Sequence, residues 1–137
     1  MRERNSLCFV YTAPSEVIIH KRSIFNLAGL LTQATGRDGA IYYNGYGCFC
    51  GLGGYGTPVD DTDRCCKAHD DCYGTIMDCW PYVVDYKYSC SGNNCTCAPS
   101  NTFCGQKSCK CDLDFANCAA RSKYNAIYWN YDKKNKC

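Results

Sequence analysis

Fifteen of the 137 residues are cysteine. Cysteine at that density points to an extracellular chain held by disulfides. Cross-links restrict the unfolded chain, so a fold of this kind does not need a large apolar core. A zinc-cluster protein is the competing reading. It suits shorter, aromatic-poor chains, whereas this one carries twelve Tyr and two Trp. The length corresponds to one domain.

Residues 1–22 differ in character from the rest. Met1-Arg2-Glu3-Arg4 supplies a charged start, but Leu7-Cys8-Phe9-Val10-Tyr11 is short for the apolar core of a secretory signal. The segment reads as a signal remnant plus propeptide, or as a disordered tail. His20-Lys21-Arg22 resembles a dibasic processing site, which would start the domain at Ser23. The first 22 residues hold four of the fifteen basic and two of the thirteen acidic side chains, so the remainder balances at eleven each. That balance argues against nucleic acid as the main partner. It also gives no strong pull towards anionic membranes. No apolar run reaches membrane-spanning length, so a membrane would be met from its surface.

From Ser23 onward, Ile24, Leu27, Leu30 and Leu31 recur at helical spacing, predicting an amphipathic N-terminal helix over residues 23–34. Its stripe reads as core, or in part as the wall of an apolar channel. Residues 40–58 are rich in glycine and aromatics and predict a loop. A long helix is expected over 59–79, capped by Asp60 or Asp61 and stopped at Trp80-Pro81. Residues 86–90 and 95–97 flank Ser91-Gly92-Asn93-Asn94 and predict a small β-hairpin. Asn94-Cys95-Thr96 has the form of a glycosylation sequon, though a central cysteine makes its use unexpected. A second long helix is expected over 106–122, then a solvated basic tail pinned by Cys137.

The chemistry concentrates in two stretches. Along Cys65-Cys66-Lys67-Ala68-His69-Asp70-Asp71-Cys72-Tyr73, the residues Cys66, His69, Asp70 and Tyr73 share one helical face. A base beside a carboxylate on a rigid element suits catalysis next to a metal, although a lone His-Asp pair is also an ordinary surface feature. The preceding Tyr46-Gly47-Cys48-Phe49-Cys50-Gly51-Leu52-Gly53-Gly54 can bend enough to aim several carbonyls at one point. Calcium takes about 6–8 oxygen ligands, backbone carbonyls included. Asp70 is the nearest anionic partner on a helix. The spacing fits neither an EF-hand nor a phosphate-cradling Gly-Lys-Ser/Thr loop.

The run from Tyr46 to Asp61 resembles the calcium loop of secreted phospholipase A2, and the run from Asp63 to Tyr73 resembles its active-site helix. Cys109-Lys110-Cys111-Asp112, followed by Cys118, is similar to the family's second long helix. The resemblance covers residues 23–137. It implies a mainly α, disulfide-rich domain: two long antiparallel helices, an N-terminal helix, a calcium-binding loop and a small β-hairpin. It implies hydrolysis of the sn-2 acyl ester of glycerophospholipids, dependent on Ca2+, by a secreted monomer acting at a phospholipid membrane or micelle surface. His69 would be the general base and Asp112 its orienting partner, with Tyr73 and Tyr86 bonded to that carboxylate. Phe49, Gly51 and Gly53 would offer carbonyls to calcium beside the Asp70 side chain, and the Gly51 N–H would assist the oxyanion. Ile24, Leu27 and Leu31 would line the acyl channel. The alternative on the same scaffold is a non-enzymatic receptor ligand or toxin-like binding protein.

The family pattern also implies six disulfides: Cys48–Cys137, Cys50–Cys66, Cys65–Cys118, Cys72–Cys111, Cys79–Cys104 and Cys97–Cys109. Cys8, Cys90 and Cys95 are left over. In one branch of the family the Cys90 position pairs with a cysteine late in the first helix, but this chain has Thr32-Gln33 there. Cys95 lies across the hairpin turn from Cys90, which predicts a seventh bridge between them and leaves Cys8 as the odd thiol.

Overall fold

The computed structural model describes the backbone of residues 15–137 and side chains from residue 25 onward. Most of the expected leader or tail, with Cys8, lies outside these residues, as does the side chain of Ile24. Three helices dominate: α1 (Ser15–Thr35), α3 (Asp61–Gly74) and α4 (Phe103–Ala120). Two short helices, α2 (Gly39–Tyr42) and α5 (Lys133–Lys136), one hairpin of β1 (Tyr88–Ser91) with β2 (Asn94–Cys97) and two 3-10 turns, Met77–Cys79 and Ala126–Tyr128, complete the described set. The architecture is the mainly helical, disulfide-rich one expected. No described helix is long and apolar enough to cross a membrane.

The seven bridges in the described chain are the six of the family pattern plus Cys90–Cys95. Cys65 pairs with Cys118 and Cys72 with Cys111, so the order of partners runs in opposite directions along the two helices. Helices α3 and α4 are therefore antiparallel and are stapled twice, two turns apart on each. His69 lies between the two staples on one helix and Asp112 between them on the other. The Cys48–Cys137 bridge closes 89 residues. In the chain-entropy account, a loop that long destabilises the unfolded state by about 4–5 kcal/mol.

Element ends are set by caps, and several differ from the expected ones. Helix α1 begins at Ser15, so the expected boundary at Ser23 falls inside it. It ends at Thr35, where Gly36 turns to φ 76°. The expected loop from residue 40 opens with the helical turn α2, because Asp38 accepts the N–H groups of Ala40 and Ile41. Helix α3 is shorter than the expected 59–79. Asp60 caps it by accepting Asp63 N–H, and Val59 is held outside by bonding its own N–H to Asp63. At the other end Thr75 Oγ1 donates to the Cys72 carbonyl, and the chain re-forms as a separate 3-10 turn, Met77–Cys79. Helix α4 begins three residues before the expected 106, because Thr102 Oγ1 accepts Gly105 N–H at 3.0 Å. The hairpin turn is the two residues Gly92-Asn93, tighter than the four expected. Gly92 has φ 61°, which suits such turns.

The core lies between α1, α4 and the aromatic loop. Leu30, Tyr46, Cys109 and Ala116 are fully buried there, with Leu31, Tyr43, Phe49 and Phe115 close to it. Burying apolar surface of this kind stabilises by about 25 cal/mol per Å². The polar groups Asp63 and Asp112 are also fully buried. Such groups are costly unless hydrogen-bonded, and both organise the site.

Candidate active site

Asp112, on α4, accepts three hydrogen bonds. His69 Nε2 is 2.7 Å from Oδ1, Tyr73 OH donates to Oδ1 at 2.6 Å and Tyr86 OH donates to Oδ2 at 2.5 Å. His69 and Tyr73 come from adjacent turns of α3. Tyr86 comes from the segment leading into β1, and two clamps fix that segment. Asn26 on α1 donates to Asp85 Oδ1 and to the Tyr86 carbonyl. Asn101 brackets Lys87 by accepting its N–H and donating to its carbonyl. The expected quartet of His69, Asp112, Tyr73 and Tyr86 is thus assembled from three separate elements.

The protonation pattern follows from valence. A carboxylate with no proton can only accept, so Nε2 of neutral His69 carries the hydrogen and Nδ1 keeps its lone pair. The imidazole is held between Tyr73, with ring centres 4.2 Å apart, and Phe115, at 4.8 Å. Burial, reinforced by the Asp112 charge, pushes the phenols of Tyr73 and Tyr86 well above their ordinary value. Both therefore stay donors across the ordinary pH range.

Asp70, the residue after His69 on α3, meets the 49–54 loop. The loop passes so close that a Cβ on Gly54 would lie 2.9 Å from Asp70 Oδ2 and 2.7 Å from the Phe49 ring. Gly51 has φ 104°, and a Cβ there would meet Asn44 Oδ1 at 2.9 Å, so a side chain is excluded on both counts. Among the described residues, no donor bonds the Asp70 carboxylate. Desolvation raises its pKa, while His69 and Lys133 oppose the rise. Nor does any described hydrogen bond engage the N–H or carbonyl of Gly51, or the Phe49 carbonyl. The Gly53 carbonyl does accept, from Lys133 Nζ at 3.5 Å. A partly desolvated, unpaired carboxylate beside open carbonyls is a donor set for a hard cation. Among the described residues no group of three or more His, Cys, Asp or Glu side chains could hold a metal, so a calcium site at Asp70 would need backbone oxygens to reach its usual ligand number.

The apolar positions are less decisive. Leu31 is buried and Leu27 partly buried in the cluster that contains Phe49 and Phe115. The structure thus joins them to the Phe115 ring that packs against His69, whereas the side chain of Ile24 lies outside the described residues.

Asp63 was not singled out by the sequence. Its buried carboxylate accepts the N–H groups of Cys48, Phe49 and Val59 at 2.8, 2.8 and 2.9 Å. Gly47, at φ 59°, leaves no room for a side chain there, since a Cβ would lie 2.5 Å from Asp63 Cγ. Asp63 therefore ties the start of the loop that faces Asp70 to Val59, ahead of α3. The one available signal was an acidic residue three positions after Asp60, which local sequence cannot tell from a second capping group.

Comparison with known proteins agrees with this arrangement. The sequence profile described as phospholipase A2 matches residues 24–129. The "Basic phospholipase A2 nigexine" of Naja pallida is 48% identical over 98 residues, covering 70% of this chain and 83% of that protein. The "Phospholipase A2" of Bos taurus is 39% identical over 126 residues, covering 85% and 87%. A profile match over most of the chain, and relatives at 48% and 39% identity covered over more than four-fifths of their length, make this chain a member of the phospholipase A2 family.

Proposed function

We propose that this phospholipase A2 cleaves the sn-2 acyl ester of glycerophospholipids at a lipid surface outside the cell, in a reaction that requires calcium. The observation that carries the reading is the hydrogen bond between His69 Nε2 and Asp112, which leaves Nδ1 as the basic atom. Nδ1 takes a proton from water as the water attacks the ester carbonyl. Asp112 stabilises the imidazolium that forms, and Tyr73 and Tyr86 keep that carboxylate in place. General-base assistance of this type contributes roughly 10²–10⁴-fold. His69 then returns the proton to the leaving glycerol oxygen.

Asp70, with the carbonyls of Phe49, Gly51 and Gly53, would hold the ion. Bound there, calcium supplies Lewis-acid polarisation of the ester carbonyl and a counter-charge for the phosphate. The Gly51 N–H, with no described acceptor, donates to the developing oxyanion. Leu27 and Leu31, with Ile24, would line the path of the acyl chain. Leu52, 80% exposed on the loop, and Phe25 on α1 offer uncharged groups to a lipid surface. The balanced charge of residues 23–137 favours zwitterionic lipid.

Phosphatidylcholine with different chains at its two positions tests the reading. Mass spectrometry should find the free acid of the sn-2 chain and lysophosphatidylcholine bearing the sn-1 chain. Release of the sn-1 acid, or no release, contradicts it. The latter outcome would favour a binding protein on the same scaffold.

A further inference from the structure

The C-terminal segment reaches back across the loop that faces Asp70. The Cys48–Cys137 bridge ties its last residue to the start of that loop. Beyond the loop's glycines, a Cβ on Gly56 would lie 2.5 Å from the Cys137 carbonyl oxygen. Tyr55 OH donates to the Lys133 carbonyl at 3.3 Å. Between these attachments Lys133 projects its amine onto the loop, donating to the Leu52 carbonyl at 3.0 Å and to the Gly53 carbonyl at 3.5 Å.

The Gly53 interaction separates this carbonyl from its neighbours. Three loop carbonyls are assigned to calcium in the function proposed above. Those of Phe49 and Gly51 accept no described hydrogen bond, whereas that of Gly53 is engaged by a cation belonging to the chain itself. The same ammonium acts on the Asp70 charge through space. A lysine amine carries one compact positive charge and donates only. Towards a carbonyl and a nearby carboxylate it offers what a metal ion offers, at half the charge.

We propose that Lys133 is a tethered competitor for calcium: its ammonium, held on the Leu52 carbonyl, also lies 3.5 Å from the Gly53 carbonyl, and an incoming ion must displace it from there to complete its ligands. Two effects then weaken calcium binding. The hydrogen bond to Gly53 must break, and a like charge must stay near the ion or swing into solvent. The bond to Leu52, which is not among the assigned ligands, gives the amine a place to remain. Lys133 is therefore a positioning residue that sets the calcium concentration at which the loop becomes competent.

This inference rests on the calcium reading of the site, and direct calcium titration by calorimetry, without lipid, separates the two. Wild type, K133Q and K133R are compared at low ionic strength. Glutamine keeps an N–H donor for the Leu52 carbonyl while removing the charge, and arginine keeps the charge. K133Q should bind calcium roughly threefold to tenfold more tightly, the Coulomb scale of one partly solvated charge beside a divalent ion. K133R should stay within about twofold of wild type, and added salt should narrow the K133Q gap by screening. Wild type binding calcium while K133Q binds equally or more weakly overturns the inference, since Lys133 would then only brace the loop. Absence of any calcium binding to wild type overturns the calcium reading and this inference with it. Near-ultraviolet circular dichroism of K133Q should match wild type, which keeps the affinity change from being a folding defect.

Discussion

His69 Nε2 and Asp112 Oδ1 stand 2.7 Å apart across 43 residues of chain, between the two disulfides that staple α3 to α4. The staples fix the helices' register and Asp112 fixes the imidazole's tautomer. Asp112→Asn removes the charge that stabilises the imidazolium. Its kcat should fall by roughly 10²–10⁴-fold, the range of general-base assistance, with little change in KM. Steady-state kinetics on mixed micelles checks this; a rise in KM at constant kcat would place Asp112 in binding instead.

Tyr73 and Tyr86 each donate to the same buried carboxylate. Hydrogen bonds to charged groups contribute about 1.5–3 kcal/mol. Each single Phe variant should lose stability on that scale. The double variant should differ from the sum of the singles, because both act on one acceptor. Denaturant unfolding with the disulfides intact gives the measurement.

Asp63→Asn leaves one acceptor oxygen where the carboxylate serves the N–H groups of Cys48, Phe49 and Val59. At least one buried N–H then lacks a partner, at a cost of about 1–3 kcal/mol. The looser loop should also bind calcium more weakly. A stability loss with unchanged calcium affinity would restrict Asp63 to folding.

Alkaline pH should unfold the protein through its phenols. Burial raises Tyr73 and Tyr86 above the ordinary value of 10.0 in the folded state. Below that value both states are protonated and the hydrogen bonds to Asp112 are intact. Above it the unfolded state loses protons that the folded state keeps, so stability falls as pH rises from 10 towards the raised values. Ultraviolet absorbance after a pH jump should register these two tyrosinates only as the fold is lost. Ionisation of all twelve Tyr before unfolding would contradict the buried network.

The candidate site was legible in the sequence wherever residue type and spacing together limit the options. His69, Asp70 and Tyr73 share a helix face whatever the tertiary fold, and glycines at 51, 53 and 54 announce a bent loop. Cys90–Cys95 followed from two unpaired cysteines across a short turn. Asp63 was hidden because Asp60, Asp61 and Asp63 are chemically alike, and only packing decides which caps and which is buried. Lys133 was hidden in a basic tail that looks solvated until the Cys48–Cys137 bridge folds it over the loop. The helix ends were missed where one side chain decides them: Asp38 for α2, Thr75 for the end of α3 and Thr102 for α4.

The most direct test of the account is fatty-acid release from phosphatidylcholine vesicles by wild type and His69→Gln, each with calcium and with a chelator. Wild type with calcium should release acid. Chelator should abolish that release, and His69→Gln should reduce it by at least about 10²-fold in calcium. Comparable release by His69→Gln, or release by wild type that persists in chelator, would contradict a base at His69 working beside a calcium ion at Asp70.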